Sequence, residues 1–515
     1  MEIPKEILTI TQKLAEAGFE AYPVGGCVRD LLLDREPDDW DITTKATPEE
    51  IQKIFPNSFY ANKFLTVTVK TDSENPRLAQ VEITTFRREG PYTDKRHPDE
   101  VKPAETLEED LARRDFTVNA LALDTAGKII DPYNGRADLD KKLIRAVGKP
   151  EERFEEDALR MVRAVRISSK LGFAIEEKTK EAIQKHAGLL RVIKKQRVRD
   201  ELVKIVSEKN PKSAFEILNE MKLLALIVPE LEEGIGMEQR GPHKYDVYEH
   251  NLRALQYAAD QNYPPHVRLA ALFHDIGKSR TRVWDEEKKH WTFHGHDVVG
   301  AKMTYKILKA LRFSREESEK IANLVRWHLF SYKLRRDDQY KEDLAAMGED
   351  PNIKDMEDSE EDMQETSDAA IRRLISHVGR EEIHDLVQIR ICDRVATGVP
   401  KPVPYRLRHF RFRVEKILRE GEATNVKMLA IRGEDIMREL GIPQSKRVGD
   451  ILNVLLDEVL DRPAKNAKEI LTERMKKLNA LSDEELGMLR KKAQEKITGI
   501  EEERVAEIKK KYHVK

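Results

Sequence analysis

Near residue 140 the apolar pattern of this chain changes period, and that change constrains its fold more than any other feature. Before it, short runs alternate apolar and polar residues. Phe19–Val24, Asp39–Thr43, Thr66–Thr71 and Leu78–Phe86 read as strands, with helices over Glu6–Ala17, closed by Gly18, and over Val28–Leu33. After it the spacing is almost wholly helical, with breaks at Gly172, Pro211, Pro229, Pro264 and Pro400–Pro404. A sheet-bearing segment followed by a long helical remainder specifies an α+β chain: a head with a small mixed or antiparallel sheet, then an all-α neck, body and tail. The expected boundaries are a head over 1–140, a helical neck over 141–230, a helical domain over 231–400, a helical region over 401–465 and a charged helical arm over 466–515. No internal repeat of solenoid length is evident.

Composition narrows the setting. At 515 residues the length suits three to four domains. The chain is 39% apolar and 36% charged, and it holds no apolar run of about 18 residues, so a membrane span is not expected. The opening MEIPKEILTI lacks a basic n-region and a long apolar stretch, so no secretory signal is expected. Cys27 and Cys392 are too few for a disulfide framework or a cysteine-based zinc site, which suits a reducing cytoplasm.

The net charge of −2 argues at first against a nucleic-acid partner, but it is a sum of unlike parts. Between Asp337 and Asp368 stand 14 acidic residues and two lysines, a local charge of −12, which leaves +10 on the rest of the chain. That acidic stretch (337–368) has few apolar residues and no period, and it reads as a solvated insertion. Over Lys401–Arg419, arginines interleave with Tyr405, Phe410 and Phe412. Such a segment fits an RNA contact, and equally a helix with a solvated basic face.

Three carboxylates carry the first chemical signal. In PDDWDITT, Asp39 and Asp41 stand two apart on an expected strand and share one face, with Trp40 and Ile42 on the other. In AQVEITTF, Glu82 lies opposite Val81 and Ile83. If the two strands are neighbours, Asp39, Asp41 and Glu82 form a cluster that repels itself unless cations neutralise it. Two Mg²⁺ ions would do so and would organise an in-line phosphoryl displacement. Upstream, Gly25-Gly26 follow a strand and open a helix, where backbone N–H groups can approach a phosphate, and Arg29 follows within a turn. Asp157 and Arg160 are i,i+3 on an expected helix and so share a face, which Arg163 extends; an acceptor beside a donor can read a base edge.

The ordered set GGCVRDLLL, DDWDITT, VEITTFRREGPYTDKRHPDEV, LEEDLARRDFTVNALALD, DPYNGRADL and RFEEDALRMVRAVRISSKLGF resembles the class II tRNA nucleotidyltransferases, the family of bacterial CCA-adding enzymes and poly(A) polymerases. The likeness covers about 18–230 and returns over 429–463, which is similar to that family's C-terminal RNA-binding part. The resemblance implies template-independent addition of CCA to a tRNA 3′ end from CTP and ATP, with release of pyrophosphate. Asp39 and Asp41 would hold catalytic Mg²⁺ with Glu82 as third carboxylate, and Gly25, Gly26 and Arg29 would meet the triphosphate. Arg113, Arg114, Asp115 and Asn119 would contact the nucleotide and brace their motif, Asp131 and Gly135 would shape the turn into the neck, and Asp157, Arg160 and Arg163 would select the base. The partners implied are the tRNA acceptor stem and 3′ end, ATP and CTP, for a monomer or homodimer in the cytoplasm; 401–465 would be the helical tRNA-binding region. The Gly/Pro-rich connection 87–110 would be the mobile element that permits A addition. An A-adding enzyme or a poly(A) polymerase is the alternative.

A second motif set lies further on. His250, His274-Asp275 in LAALFHDIGKSR, His294 and His296 in FHGHD, His328 and Asp393 follow one another, a mixture of imidazoles and carboxylates suited to a divalent metal. The set resembles the HD phosphohydrolase domain, which implies His250, His274, Asp275 and Asp393 as ligands of Ni, Mn, Co or Mg. It implies His294, His296 and His328 at a second metal or a phosphate, and Lys278 at a substrate phosphate. Asp297 is an alternative to Asp393, because the acidic insertion separates Asp393 from His328. A metal-dependent phosphatase or 2′,3′-cyclic phosphodiesterase activity would accompany it. Were the HD site the principal activity, the head would only tether RNA, against which its complete motif set argues. A non-catalytic RNA binder would gain nothing from three acids in its cleft.

Overall fold

The computed structural model describes residues 3–60, 65–89, 101–239, 244–287, 289–334, 365–398 and 403–493. The middle of the 87–110 connection, nearly all of the acidic insertion and the end of the C-terminal arm (494–515) lie outside the described residues. Two compact units result: Met1–Glu238 with Asp246–Leu272 and Met303–Glu319, and Gln239–Tyr245 with Phe273–Lys302 and Lys320–Lys515.

In the first unit α1 (Lys5–Glu16) buries Ile7, Ile10, Thr11 and Leu14, the i, i+3, i+4, i+7 stripe of an amphipathic helix, and ends at Gly18. A five-stranded sheet follows: β1 (Ala21–Pro23), β2 (Asp41–Thr44), β3 (Ser58–Tyr60), β4 (Thr66–Lys70) and β5 (Gln80–Thr85), in the order β1-β2-β5-β4-β3. All pairs are antiparallel except β2 with β5, so the sheet is mixed, as the sequence implied. Alternation explains β5: Val81, Ile83 and Thr85 are buried between exposed or half-buried neighbours. Two helices punctuate the strands, α2 (Gly26–Leu32) and α3 (Pro48–Ile54). The second is started by a capping box in which Thr47 and Glu50 satisfy each other's backbone N–H. The ends of the 87–110 connection pair as an antiparallel ladder, Arg87–Glu89 with Val101–Pro103.

From Pro150 onward the first unit is mostly helical, with Pro150–Glu156, Leu159–Leu171, Lys195–Ser207, Pro211–Glu220 and Val247–Asp260 among its helices, and with Ala174–Ile175 pairing in parallel with Leu143–Ile144. Phe86, Phe116, Phe154 and Phe215 are its largest fully buried side chains. Each contributes about 1.5–3 kcal/mol by burial alone.

Among the described residues the second unit is helical apart from one hairpin, Val283–Asp285 with His290–Thr292. Its helices include Asp368–Val378, Ile383–Ala396, Tyr405–Arg419 and Lys446–Asp461, and the last packs its Ile451, Leu455 and Val459 into a core with Ile431, Ile436, Met475 and Leu478. No described helix is long and apolar enough to cross a membrane. Both cysteines are buried and unpaired.

Candidate active sites in the head and the HD segment

The register of two strands builds the head site. Asp41 on β2 is the direct partner of Glu82 on β5. Partners in a parallel ladder project to the same face, so their carboxylates share one side of the sheet, while Trp40 and Ile42 are 4% and 0% exposed. One expectation changes here. The strand begins at Asp41, and Asp39 sits in the bend before it, exposed. The backbone turns at Pro37–Asp39, so strand alternation does not place Asp39, and the three carboxylates are not gathered within 4.8 Å. They still act on one another: burial, then the charges of Asp39 and Glu82, push the Asp41 carboxyl up to about 6. A divalent cation would relieve that repulsion, so these residues fit a metal.

Beside them, Gly25 has φ +87° and caps α2, and its N–H is held by the Leu121 carbonyl. A Cβ there would stand 2.5 Å from Nη1 of Arg114, the movable end of a side chain, so it is the left-handed backbone that calls for glycine. Gly26 is the first residue of α2. Arg29 differs from the expectation. It is 7% exposed and committed: Nε and Nη2 donate to Asp30 at 2.8 and 2.9 Å, and Nη1 donates to Oδ1 of Asn119 at 2.6 Å. Asn119 in turn donates to Asp115 at 3.2 Å, and Asp115 accepts Nε of Arg163 at 2.8 Å. The result is one relay, Asp30–Arg29–Asn119–Asp115–Arg163, that ties the Gly-Gly turn to helix Leu159–Leu171. Burial alone would raise the Asp115 carboxyl, but Arg163 and Asn119 outweigh it and hold it well below the usual carboxylate range. Arg113 donates to the buried Asp110 at 2.9 Å, and Arg114 reaches the Asn119 carbonyl at 3.5 Å. Asp131 accepts the N–H groups of Gly135 and Arg136 at 2.7 and 2.9 Å, which fixes its turn.

Asp157 and Arg160 correct another expectation. They do not share a continuous helix: Pro150–Glu156 ends at Asp157, which is extended at φ −139°, ψ 102°, and the next helix starts at Leu159. Asp157 accepts the Leu159 N–H at 3.1 Å and forms a two-pronged ion pair with Arg197, Oδ1 to Nη1 at 3.1 Å and Oδ2 to Nη2 at 2.6 Å. Arg160 donates to Glu156 at 2.6 Å and to the Arg113 carbonyl at 3.0 Å. Sequence reasoning missed Arg197, 40 residues away. Its only cue was an arginine in the first turn of a helix.

The HD segment assembles within the second unit. His274 is fully buried, with Nε2 at 3.4 Å from Asp275 and 3.5 Å from Asp393. Burial opposes a charge there, but the two carboxylates prevail and push the imidazole up to about 10. A place where two acids hold a proton so firmly can take a cation instead. Nε2 of His296 and of His328 lie 3.2 and 3.6 Å from Oδ1 of Asp275 and make no hydrogen bond. Their Nδ1 atoms each meet a carbonyl at 2.7 Å, of Phe293 and Val325. That contact makes Nδ1 the protonated nitrogen and leaves two buried Nε2 lone pairs aimed at a carboxylate, an arrangement fit for a metal. Lys278 donates to Asp275 at 2.5 Å and to Gln239 at 2.6 Å. Gly277 is required by close approach, since a Cβ would stand 2.1 Å from the His296 carbonyl oxygen. Asp297 is drawn away by Arg326, whereas Asp393 is at the cluster. His294 is exposed and outside the Asp275–His296–His328 group, and His250 is buried on Val247–Asp260 of the first unit.

On Tyr405–Arg419, Phe410 is core and packs on Phe330 with ring centroids 4.8 Å apart, whereas Phe412 is 63% exposed. The interleaved aromatics therefore divide between the two readings.

The chain matches three families in succession: the poly A polymerase head domain over 21–145, the probable RNA- and SrmB-binding site of polymerase A over 172–235, and the HD domain over 247–398. It is 50% identical over 217 residues to the CCA-adding enzyme of Lactobacillus helveticus, a match over 42% of this chain and 53% of the relative. It is 46% identical over 217 residues to that of Listeria monocytogenes serotype 4a, a match over 42% and 54%. The chain thus spans about half the length of the curated relatives it matches. The crystal structure of the Bacillus stearothermophilus CCA-adding enzyme in complex with CTP superposes with a TM-score of 0.64 at 28% identity, over 93% of this chain and 98% of that one. In that order along one polypeptide the chain carries a poly A polymerase head domain, the RNA-binding segment of that polymerase and an HD domain, and over its first part and in its fold it is similar to CCA-adding enzymes.

Proposed function

We propose that this protein adds C, C and A to the 3′ end of tRNA from CTP and ATP in the cytoplasm, and that its HD site hydrolyses phosphoester ends. The carrying observation is Asp41 in register with Glu82 beside the Gly25–Gly26 turn. A tRNA 3′-oxygen attacks the α-phosphorus of the nucleotide, a new P–O bond forms, the bond to pyrophosphate breaks, and the hydroxyl proton departs. Asp39, Asp41 and Glu82 would hold Mg²⁺, which when bound activates the hydroxyl and stabilises the leaving pyrophosphate. Gly25 and Gly26 bring backbone close to the triphosphate, and Arg113 and Arg114 face the phosphates. Arg29, Asn119, Asp115 and Arg163 hold the turn against the neck.

Asp157 and Arg160 read the base. Cytosine and adenine each offer an amino donor and a ring-nitrogen acceptor, whereas uracil and guanine leave buried groups unpaired. The ion pair to Arg197 fixes Asp157 for this task. The relatives named as CCA-adding enzymes, and the solved relative described with CTP, support the same reading. We retain the head over 1–140, the neck over 141–230, the HD domain over 231–400 and tRNA contacts over 401–465.

At the HD site, His274, Asp275 and Asp393, with His296 and His328, would hold Ni, Mn, Co or Mg, which when bound supplies an activated water. Lys278 sits at the edge of that cluster, where it can meet a phosphate.

Purified protein with Mg²⁺, CTP and ATP is expected to extend tRNAs ending before CCA, after C and after CC. Extension of the CC end alone would mean A addition only, tailing of unrelated RNA would mean a poly(A) polymerase, and no extension would sink the proposal.

A further inference from the structure

Between Lys278 and His296 the chain leaves the HD cluster, forms the hairpin Val283–Asp285/His290–Thr292, and returns. Trp284 and Trp291 are cross-strand partners whose rings meet edge to face at 5.1 Å. Trp284 is 41% exposed and Val283 is 62% exposed. The Arg282 guanidinium lies 3.8 Å from the centre of the Trp291 ring, and its Nε is buried without a hydrogen-bond partner. Among the described residues no acid pairs with it. An edge-to-face tryptophan pair alone is a sufficient strut for a two-stranded hairpin. A strut needs neither an arginine without a counter-charge nor an indole left in water.

The hairpin is continuous with the metal-fitting cluster. Two residues after Trp291 comes Phe293, whose carbonyl meets His296 Nδ1 and whose ring lies 5.6 Å from Nζ of Lys278. Two strand residues span about 7 Å. A row of ring and cation thus runs from Asp275–Lys278 through Phe293 to Trp291, Arg282 and Trp284. Exposed indole suits a nucleobase, and an uncompensated guanidinium suits a phosphate. An acid-rich peptide would pair with the arginine but would leave the indoles unused.

We propose that the Arg282–Trp291–Trp284 face is the nucleobase platform of the HD site and takes the single-stranded 3′ end of an RNA. The base nearest the hydrolysed phosphate stacks on Trp284, and Arg282 meets the next phosphate on the 5′ side. This rests on the reading of the HD site as a phosphohydrolase.

The test uses the full-length protein loaded with Ni²⁺ or Mn²⁺, on a short RNA ending in a 2′,3′-cyclic phosphate and on bis(p-nitrophenyl) phosphate, which has no base. The ratio of kcat/KM on the first to that on the second is expected to fall about tenfold in Trp284→Ala and to recover in Trp284→Phe. A ratio equal to wild type in both Trp284→Ala and Arg282→Ala, with only the melting temperature lowered, would reduce the pair to a strut and overturn the proposal. Photo-crosslinking of an RNA carrying a 3′-terminal 4-thiouridine needs no hydrolysis, and it is expected to label the peptide containing Trp284. If wild type cleaves neither substrate the hydrolase reading fails, and the platform is then decided by that crosslink: absence of label on the hairpin rejects it.

Discussion

Asp157 and Arg197 face each other across two helices with both carboxylate oxygens engaged, at 3.1 and 2.6 Å. The pair closes a gap that the chain itself opens, because the helix breaks at Asp157. An unsupported extended aspartate would be free to turn, and a base-reading acceptor that turns cannot discriminate.

Arg197→Ala is therefore expected to lower kcat/KM for CTP about 10- to 100-fold, the scale of losing a charged hydrogen-bonded partner. It should also raise misincorporation of UMP and GMP. Single-nucleotide incorporation on a tRNA lacking CCA measures both. Unchanged fidelity would show that Asp157 needs no such support.

The two sites should separate genetically. Asp41→Asn is expected to abolish nucleotide addition and spare hydrolysis of bis(p-nitrophenyl) phosphate, and His274→Ala is expected to do the reverse. Loss of both activities in one variant, with the fold intact by circular dichroism, would contradict two independent centres.

Stability should depend on pH through Asp115. Its folded pKa is held below the ordinary carboxylate value, so the Arg163 contact stabilises the fold above about pH 4 and weakens as pH falls below that. Arg163→Met is expected to cost about 1–3 kcal/mol at pH 7, the penalty of an unpaired buried acceptor, and less near pH 3. Urea unfolding of the two proteins at both pH values checks the sign; an equal difference at both would assign the loss to packing.

The thiols should be silent. Burial pushes the Cys27 thiol up to about 12 and raises Cys392 as well. Neither is a thiolate at pH 8, so iodoacetamide is expected to label the native protein negligibly and to label both residues after unfolding. Rapid native labelling at pH 8 would mean that Cys27 is far less enclosed than its place beneath Val24 and Asp41 implies.

Much of the fold was legible because it rests on local rules. The period-2 run of β5 and the apolar stripe of α1 appear within a residue or two of where their patterns place them. The neighbourhood of Asp41 and Glu82 was legible only as a conditional, since strand order is a long-range property that alternation does not encode. Two readings failed for one reason. Asp39 was placed by strand alternation and Asp157 by helical spacing, yet each lies one or two residues beyond the element whose period was applied to it.

The motifs in their order, the α+β division and the chemical types at each site were determined by the sequence itself, because residue identity and short-range period are written along the chain. Tertiary structure alone decided which charges are spent on the fold and which remain for chemistry. Arg29 was absorbed by Asp30 and Asn119 and Asp297 by Arg326, while Nε2 of His296 and of His328 were left aimed at Asp275. The reason is physical: a buried charge must find its partner wherever packing brings one, and that partner stands at no fixed distance in sequence.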